Sequence, residues 1–193
     1  MHSAFIHNNY LLRRQVFALA GKFRVYDPSE NLILFSEQKM FRLREDIRVY
    51  SDESKAQEIL TIKARQIIDF SAAYDVMDSM TGQKVGTLRR KGWRSLLRDE
   101  WEVLDADEQL RGMLFEDSVG LAMLRRLLLG SLLPQNYDLT LGGTRVADLR
   151  QVFNPLRYEL TLDFSMDPTR ALDRRLGIAA GILLATVEGK QSN

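Results

Sequence analysis

The chain has no cysteine. That absence removes disulfides, thiolate zinc sites, cysteine nucleophiles and S-palmitoylation together, and it favours a reducing compartment. Histidine is nearly absent too. His2 and His7 both stand near the N-terminus, too few ligands for a metal site. Net charge is only +1 over 193 residues, so no global field draws nucleic acid or an anionic membrane, and any such attraction has to be local. The glycines in "GLAMLRRLLLG" and "LTLGG" lack the spacing of a phosphate cradle. The N-terminus "MHSAFIHNNYLLRRQVF" has no apolar run before Arg13 and Arg14, and position 2 is His rather than the Gly of a myristoylation signal. The expected location is cytoplasmic. No catalytic constellation is recognisable, so the chain reads as non-enzymatic and without a cofactor.

Long apolar runs are missing as well. The longest uncharged stretch, Leu176 to Val187 in "LDRRLGIAAGILLATVE", is a dozen residues, whereas a membrane span needs about 20. Arg174 and Arg175 precede it and Glu188 closes it. Gly177, Ala179, Ala180, Gly181 and Ala185 let walls approach from several sides, and a helix apolar all round belongs inside a protein. The flanks predict its extent. Asp167 is the expected N-cap, Pro168 the first helical residue and Gly189 a stop, which gives a helix from Pro168 to Glu188.

What surrounds that helix is legible in a recurring pattern. "FRVYDPSENLILF", "YDVMDSMTGQKVGTL", "WEVLDADEQLRGML" and "YDLTLGGTRVADL" each open on an aromatic residue, Phe23, Tyr74, Trp101 and Tyr137. Val25, Val76, Val103 and Leu139 follow two residues later, and Asp27, Asp78 and Asp105 two further on. Each segment then reaches turn-forming residues and returns as a second strand, the signature of a β-hairpin. Because they occupy turn positions, Asp78 and Asp105 read as turn formers and not as an acid–base pair. In "MFRLREDIRVY", Phe41, Leu43, Ile47 and Val49 alternate. "EILTIKARQI" (Glu58–Ile67) alternates in part. In "RYELTLDFS", Tyr158, Leu160, Leu162 and Phe164 share one face. "SVGLAMLRRLLLGSLLP" (Ser118–Pro134) reads as a second helix, capping the barrel with Arg125 and Arg126 outward; lying in a membrane interface is the other reading. Hairpins with one apolar face need a common core. The fold expected is an all-β closed antiparallel barrel, with helices, wrapped around a central buried hydrophobic C-terminal helix. It forms a single domain over residues 1–193, with 1–9 a mobile N-terminal arm.

The order of these features, with "YELTLDFSMD" before the terminal "DRRLGIAAGILLATVE", resembles the tubby C-terminal-like superfamily, and especially its LURP-one-related and phospholipid-scramblase-like branch. "LLRRQVFALAGKFRVYDPSENLILFSEQKMFRLREDIRVY" is similar to that branch's opening, and "GTLRRKGWRSLLRDEWEV" to its middle. The resemblance runs from about Tyr10 to Glu188. It implies a twelve-stranded barrel around the terminal helix. In that superfamily tubby proteins bind phosphoinositides and scramblases are associated with lipid movement. The chain departs from scramblases in having no cysteine cluster and no proline-rich N-terminal region.

The surface candidate is "RRKGWRSLLR". Arg89, Arg90, Lys91, Arg94 and Arg98 surround Trp93. Guanidinium groups fit phosphate forks and an indole suits a lipid interface; the alternative is a solvated inter-strand loop, partly neutralised by Asp99 and Glu100. Two functions follow. One is a non-enzymatic binding protein whose basic loop contacts anionic phospholipid headgroups or another phosphate ligand, peripheral at a membrane. The other is a structural or protein-partner-binding module with no small ligand. No nucleic acid and no transmembrane span are expected.

Overall fold

The hairpin pattern becomes the wall of a barrel. A computed structural model describes residues 2–15, 20–39, 46–65, 72–91, 100–116, 135–152, 154 and 157–191. Its strands are β1 (Asn9–Gln15), β2 (Ala20–Tyr26), β3 (Leu32–Lys39), β4 (Ile47–Tyr50), β5 (Glu58–Ala64), β6 (Ala73–Asp78), β7 (Lys84–Arg90), β8 (Glu100–Leu104), β9 (Leu110–Glu116), β10 (Asn136–Leu141), β11 (Thr144–Val152) and β12 (Arg157–Asp163). Each pairs antiparallel with its sequence neighbour, and β1 closes the ring on β12, Leu12 opposite Leu160. This is the closed barrel that the sequence predicts. Phe41 and Leu43, and the expected helix Ser118–Pro134, lie outside the described residues.

Period-2 alternation decides which side chains enter. Every strand supplies a branched aliphatic no more than 1% exposed: Leu12, Val25, Leu34, Val49, Leu60, Val76, Leu88, Val103, Leu114, Leu139, Leu149 and Leu160. The aromatic heads Phe23, Tyr74, Trp101 and Tyr137 are buried beside them. After Val25, Val76, Val103 and Leu139 the register shifts by a bulge before the turn. The same shift follows Val49. β4–β5 is therefore a fifth copy of the hairpin, with Ile47 standing where the others carry an aromatic.

The terminal helix α1 (Arg174–Gln191) runs through the middle, and every residue from Leu176 to Thr186 is buried. Its glycines set the distance to the wall. A Cβ on Gly177 would stand 2.4 Å from the Phe164 ring, and one on Gly181 would stand 3.0 Å from Leu162.

The helix starts six residues later than the sequence predicts. Arg170 adopts φ 55°, a left-handed conformation that no helix can pass through. Asp167 does not cap the helix. It caps the preceding turn, accepting the Ala171 and Leu172 amides at 2.9 and 3.0 Å, while Pro168 lies in that turn. The residue before the first turn is Asp173, whose carboxylate accepts the Arg175 amide and whose carbonyl accepts Leu176. At the other end the helix continues past Gly189.

The turn exists because Arg174 folds back on Asp167. The two side chains are each 2% exposed and 2.8 Å apart. The guanidinium also donates to the carbonyls of Leu172 and Asp167 and to Asn8 Oδ1, and it stacks on Phe164. Burial pushes the Asp167 carboxyl up, but the Arg174 bond and the two amides outweigh it and hold it below the usual range. Arg175 bonds Asp78 of the β6–β7 hairpin at 2.6 Å. Near the far end Arg14 of β1 donates to the Ala185 carbonyl. The N-terminal segment docks beside the helix start. Ser3–Phe5 form a 3-10 turn, Phe5 is 1% exposed, and Arg170 donates to the Phe5 and Ile6 carbonyls.

Two stability outcomes follow from the plugged interior. Gly177→Ala overpacks the Phe164 contact and should cost about 1–3 kcal/mol in urea unfolding. Arg174→Met leaves the buried Asp167 carboxylate without its guanidinium and should cost about 3–5 kcal/mol, much of it recovered in Arg174→Met/Asp167→Leu. A double variant whose loss equals the sum of the losses in Arg174→Met and Asp167→Leu would show that the pair is not coupled.

Candidate functional site

The basic segment begins in β7 and faces β8. Antiparallel register sets Arg89 opposite Glu102 on the outer face, while Arg90 stands opposite Trp101 on the face that Leu88 and Val103 share. Arg89 donates to Glu102, Nε at 2.7 Å, and keeps 46% of its side chain exposed. Lys91 lies 3.8 Å from Glu102 and 4.0 Å from Glu100. Trp101 is buried, its ring 6.0 Å from Tyr74. The described half of the segment is thus a cross-strand ladder of opposite charges, a neutralisation only partly visible beforehand, because Glu102 becomes a neighbour through sheet register. Trp93, Arg94 and Arg98 lie outside the described residues.

At the other rim the repeated aspartates serve the turns. Asp27 accepts the Ser29 and Asn31 amides, Asp78 those of Met80 and Thr81, and Asp105 those of Asp107 and Gln109. The fifth hairpin does the same with Asp52, which accepts the Ser54 amide. Its aspartate stands three residues after Val49 instead of two, which hides it from a fixed-spacing reading. The β10–β11 turn uses Gly142 and Gly143, both at positive φ. The histidines are tied into the N-terminal segment. His2 Nδ1 accepts the Ala4 amide and His7 packs edge-on against Tyr10. Among the described residues no three of His, Asp or Glu are grouped as a metal site, and no helix is long and apolar enough to cross a membrane.

The helix lead-in covers this rim unevenly. Arg174 ties it toward Asn8, and Arg175 ties it toward the β6–β7 turn. Beneath the β8–β9 and β10–β11 turns a cavity of about 560 Å³ remains, floored by Val85, Val103, Leu104, Leu141, Leu172 and Leu176. No sequence signal marks it, because it forms between segments that meet only in the folded chain.

Among the described residues the outer wall carries a dense ion cluster around Asp75. Arg65 Nε and Nη2 bond Asp75 at 2.8 and 2.6 Å, Thr87 donates to the same carboxylate at 2.8 Å, and Lys84 lies 3.2 Å away. Glu108 of the β8–β9 turn joins through Arg65 and Lys84. Burial pushes Asp75 up, but the Arg65, Thr87 and Lys84 bonds overcome it and hold the carboxyl at about 2. Arg65 and Lys84 likewise hold Glu108 at about 2. Both groups have lowered values, so their stabilisation is complete above their ordinary values of 3.8 and 4.5 and is lost as pH falls toward 2. Melting temperature followed by circular dichroism should fall through that window, and Asp75→Asn should flatten the fall. An identical profile in the variant would remove Asp75 from the cause.

The comparisons agree with the geometry. A structure of a protein from Arabidopsis thaliana, solved by X-ray crystallography, is similar over 98% of this chain and 95% of that one, with a TM-score of 0.51 at 10% identity. At that identity the likeness concerns the fold alone. No curated protein matches the sequence. The model of the LURP-one-related family matches residues 32–184, from the start of β3 into α1. With a match across that much of the barrel and its central helix, the chain belongs to the LURP-one-related family.

Proposed function

We propose that this chain is a non-enzymatic binding protein that works from its outer surface, engaging a phospholipid headgroup or another phosphate through the basic segment Arg89, Arg90, Lys91, Trp93, Arg94 and Arg98. In this reading it is a cytoplasmic protein, peripheral at a membrane. The observation that carries the outward orientation is the filled lumen. Ile178, Ala179, Ile182 and Ala185 are at 0% exposure against the inner wall, so the helix fills the barrel axis where open barrels hold a ligand. Recognition then falls to the rims and the outer wall. Arg89 fits that role because it keeps 46% of its own side chain exposed while paired with Glu102. Surface ion pairs contribute only about 0–1 kcal/mol, and a phosphate offers the guanidinium the same fork geometry as Glu102.

The second reading, a protein-partner module, is favoured by one specific feature. Arg89 and Lys91 already face Glu102 and Glu100, and a mixed-sign surface suits a protein better than a uniformly anionic membrane.

Co-sedimentation with phosphatidylserine-containing vesicles, against phosphatidylcholine alone, separates the two. Binding to the anionic vesicles should weaken with salt, since screening sets in over about 10 Å at 0.1 M. The variant Arg89→Ser/Lys91→Ser/Arg94→Ser should lose it while melting nearly unchanged. A parent protein that ignores anionic vesicles even at low salt sinks the lipid reading and leaves the partner module.

A further inference from the structure

The cavity at the turn rim has a chemistry of its own, independent of the basic segment. Its volume of about 560 Å³ falls in the range of about 300–1,000 Å³ typical of small-molecule sites. The floor is aliphatic and comes from both the wall and the helix start, so it is fixed by the same packing that holds the barrel. Two glycines shape it. A Cβ on Gly86 would meet the Leu104 carbonyl at 2.4 Å and Leu176 at 3.0 Å, and one on Gly112 would meet the Thr140 carbonyl at 2.0 Å and Leu141 at 2.7 Å. Both absences let Leu176 and Leu141 sit where they line the space. Leu110 stands at the lip with 58% of its surface exposed.

The charges at the mouth are satisfied within the protein. Asp105 accepts two turn amides and Arg111 Nε at 2.8 Å. Asp173 accepts the Arg175 amide and two guanidinium nitrogens of the same residue. Each lining carboxylate thus has a guanidinium beside it, Asp105 with Arg111 and Asp173 with Arg175, so the mouth favours neither sign of ion. Driving force therefore has to come from removing apolar surface from water.

We infer that this cavity is a binding site for an uncharged, mainly apolar small molecule of about ten to twenty non-hydrogen atoms, such as a medium-chain alcohol or a compact ring compound. Its apolar body lies on Leu104, Leu141, Leu172 and Leu176, and a hydroxyl tip reaches the hydrated mouth beside Asp105.

The test titrates 1-decanol into the full chain and follows methyl resonances by NMR, with decanoate and decylamine of the same chain length in parallel. Decanol should give saturable shifts at Val85, Val103, Leu104, Leu141, Leu172 and Leu176, and both charged analogues should bind more weakly. Ala171 lines the cavity but is solvent-exposed, so Ala171→Phe fills the space without entering the core. It should weaken decanol binding by roughly tenfold or more at unchanged melting temperature. Leu110→Ser at the lip should weaken it severalfold. The inference is overturned if decanol fails to saturate up to its solubility, if the shifts fall on other residues, if Ala171→Phe binds as the parent does, or if a charged analogue binds more tightly. None of these results depends on vesicle binding, which engages the opposite end of β7.

Discussion

Everything in this molecule depends on filling a barrel too wide to fill itself. An eight-stranded barrel has an interior that its own side chains just occupy, and diameter grows with strand number. Twelve strands with one inward aliphatic layer after another leave an axial void, and α1 supplies the missing volume. The fit constrains both partners. The helix has to be apolar on every face, and it has to be narrow where the wall is bulky. Gly177 lies against Phe164 and Gly181 against Leu162. Wall and helix are therefore a single core, and neither has a stable face to present to water without the other.

A helix that fills a barrel also needs its ends placed. The start is held in two directions, by Arg174 on Asp167 and Asn8 and by Arg175 on Asp78. Arg14 holds the Ala185 carbonyl toward the other end. The buried Asp167–Arg174 pair is a costly device in isolation, because two charges leave water. It is made tolerable by the amides and carbonyls that complete the shell of both groups. Its consequence is geometric. Together with Arg175 on Asp78 it ties the lead-in toward β1 and the β6–β7 turn, and among the described residues the cavity lies on the β8–β11 side of the rim.

The plugged interior moves any function outward. The outer wall is laced with cross-strand pairs, and with a net charge of +1 the chain as a whole projects little long-range field. Recognition would be short-range, through the basic segment after β7 or the apolar cavity at the turn rim. These two places differ in kind. One is a row of exchangeable surface charges, and the other is a fixed aliphatic floor.

The sequence by itself determined the hairpins and the buried helix. Both are written in local periodicity: an aromatic, an aliphatic two residues on, an aspartate that accepts turn amides, and a charge-free dozen residues too short for a membrane. A turn or a strand is governed by neighbours a few residues away, so those neighbours suffice to read it. The β4–β5 copy was hidden only because Ile47 replaces the aromatic and Asp52 stands one residue later. What tertiary structure decided is what joins distant segments. The start of α1 moved from Pro168 to Arg174 because Arg174 found Asp167 across a left-handed turn. Closure of β1 on β12 joins residues nearly 150 positions apart. The pairing of Arg89 with Glu102 needed the β7–β8 register, and the cavity arose from four segments meeting at one rim. Ion pairs and voids depend on where chain segments come to rest in space, and no local pattern encodes that.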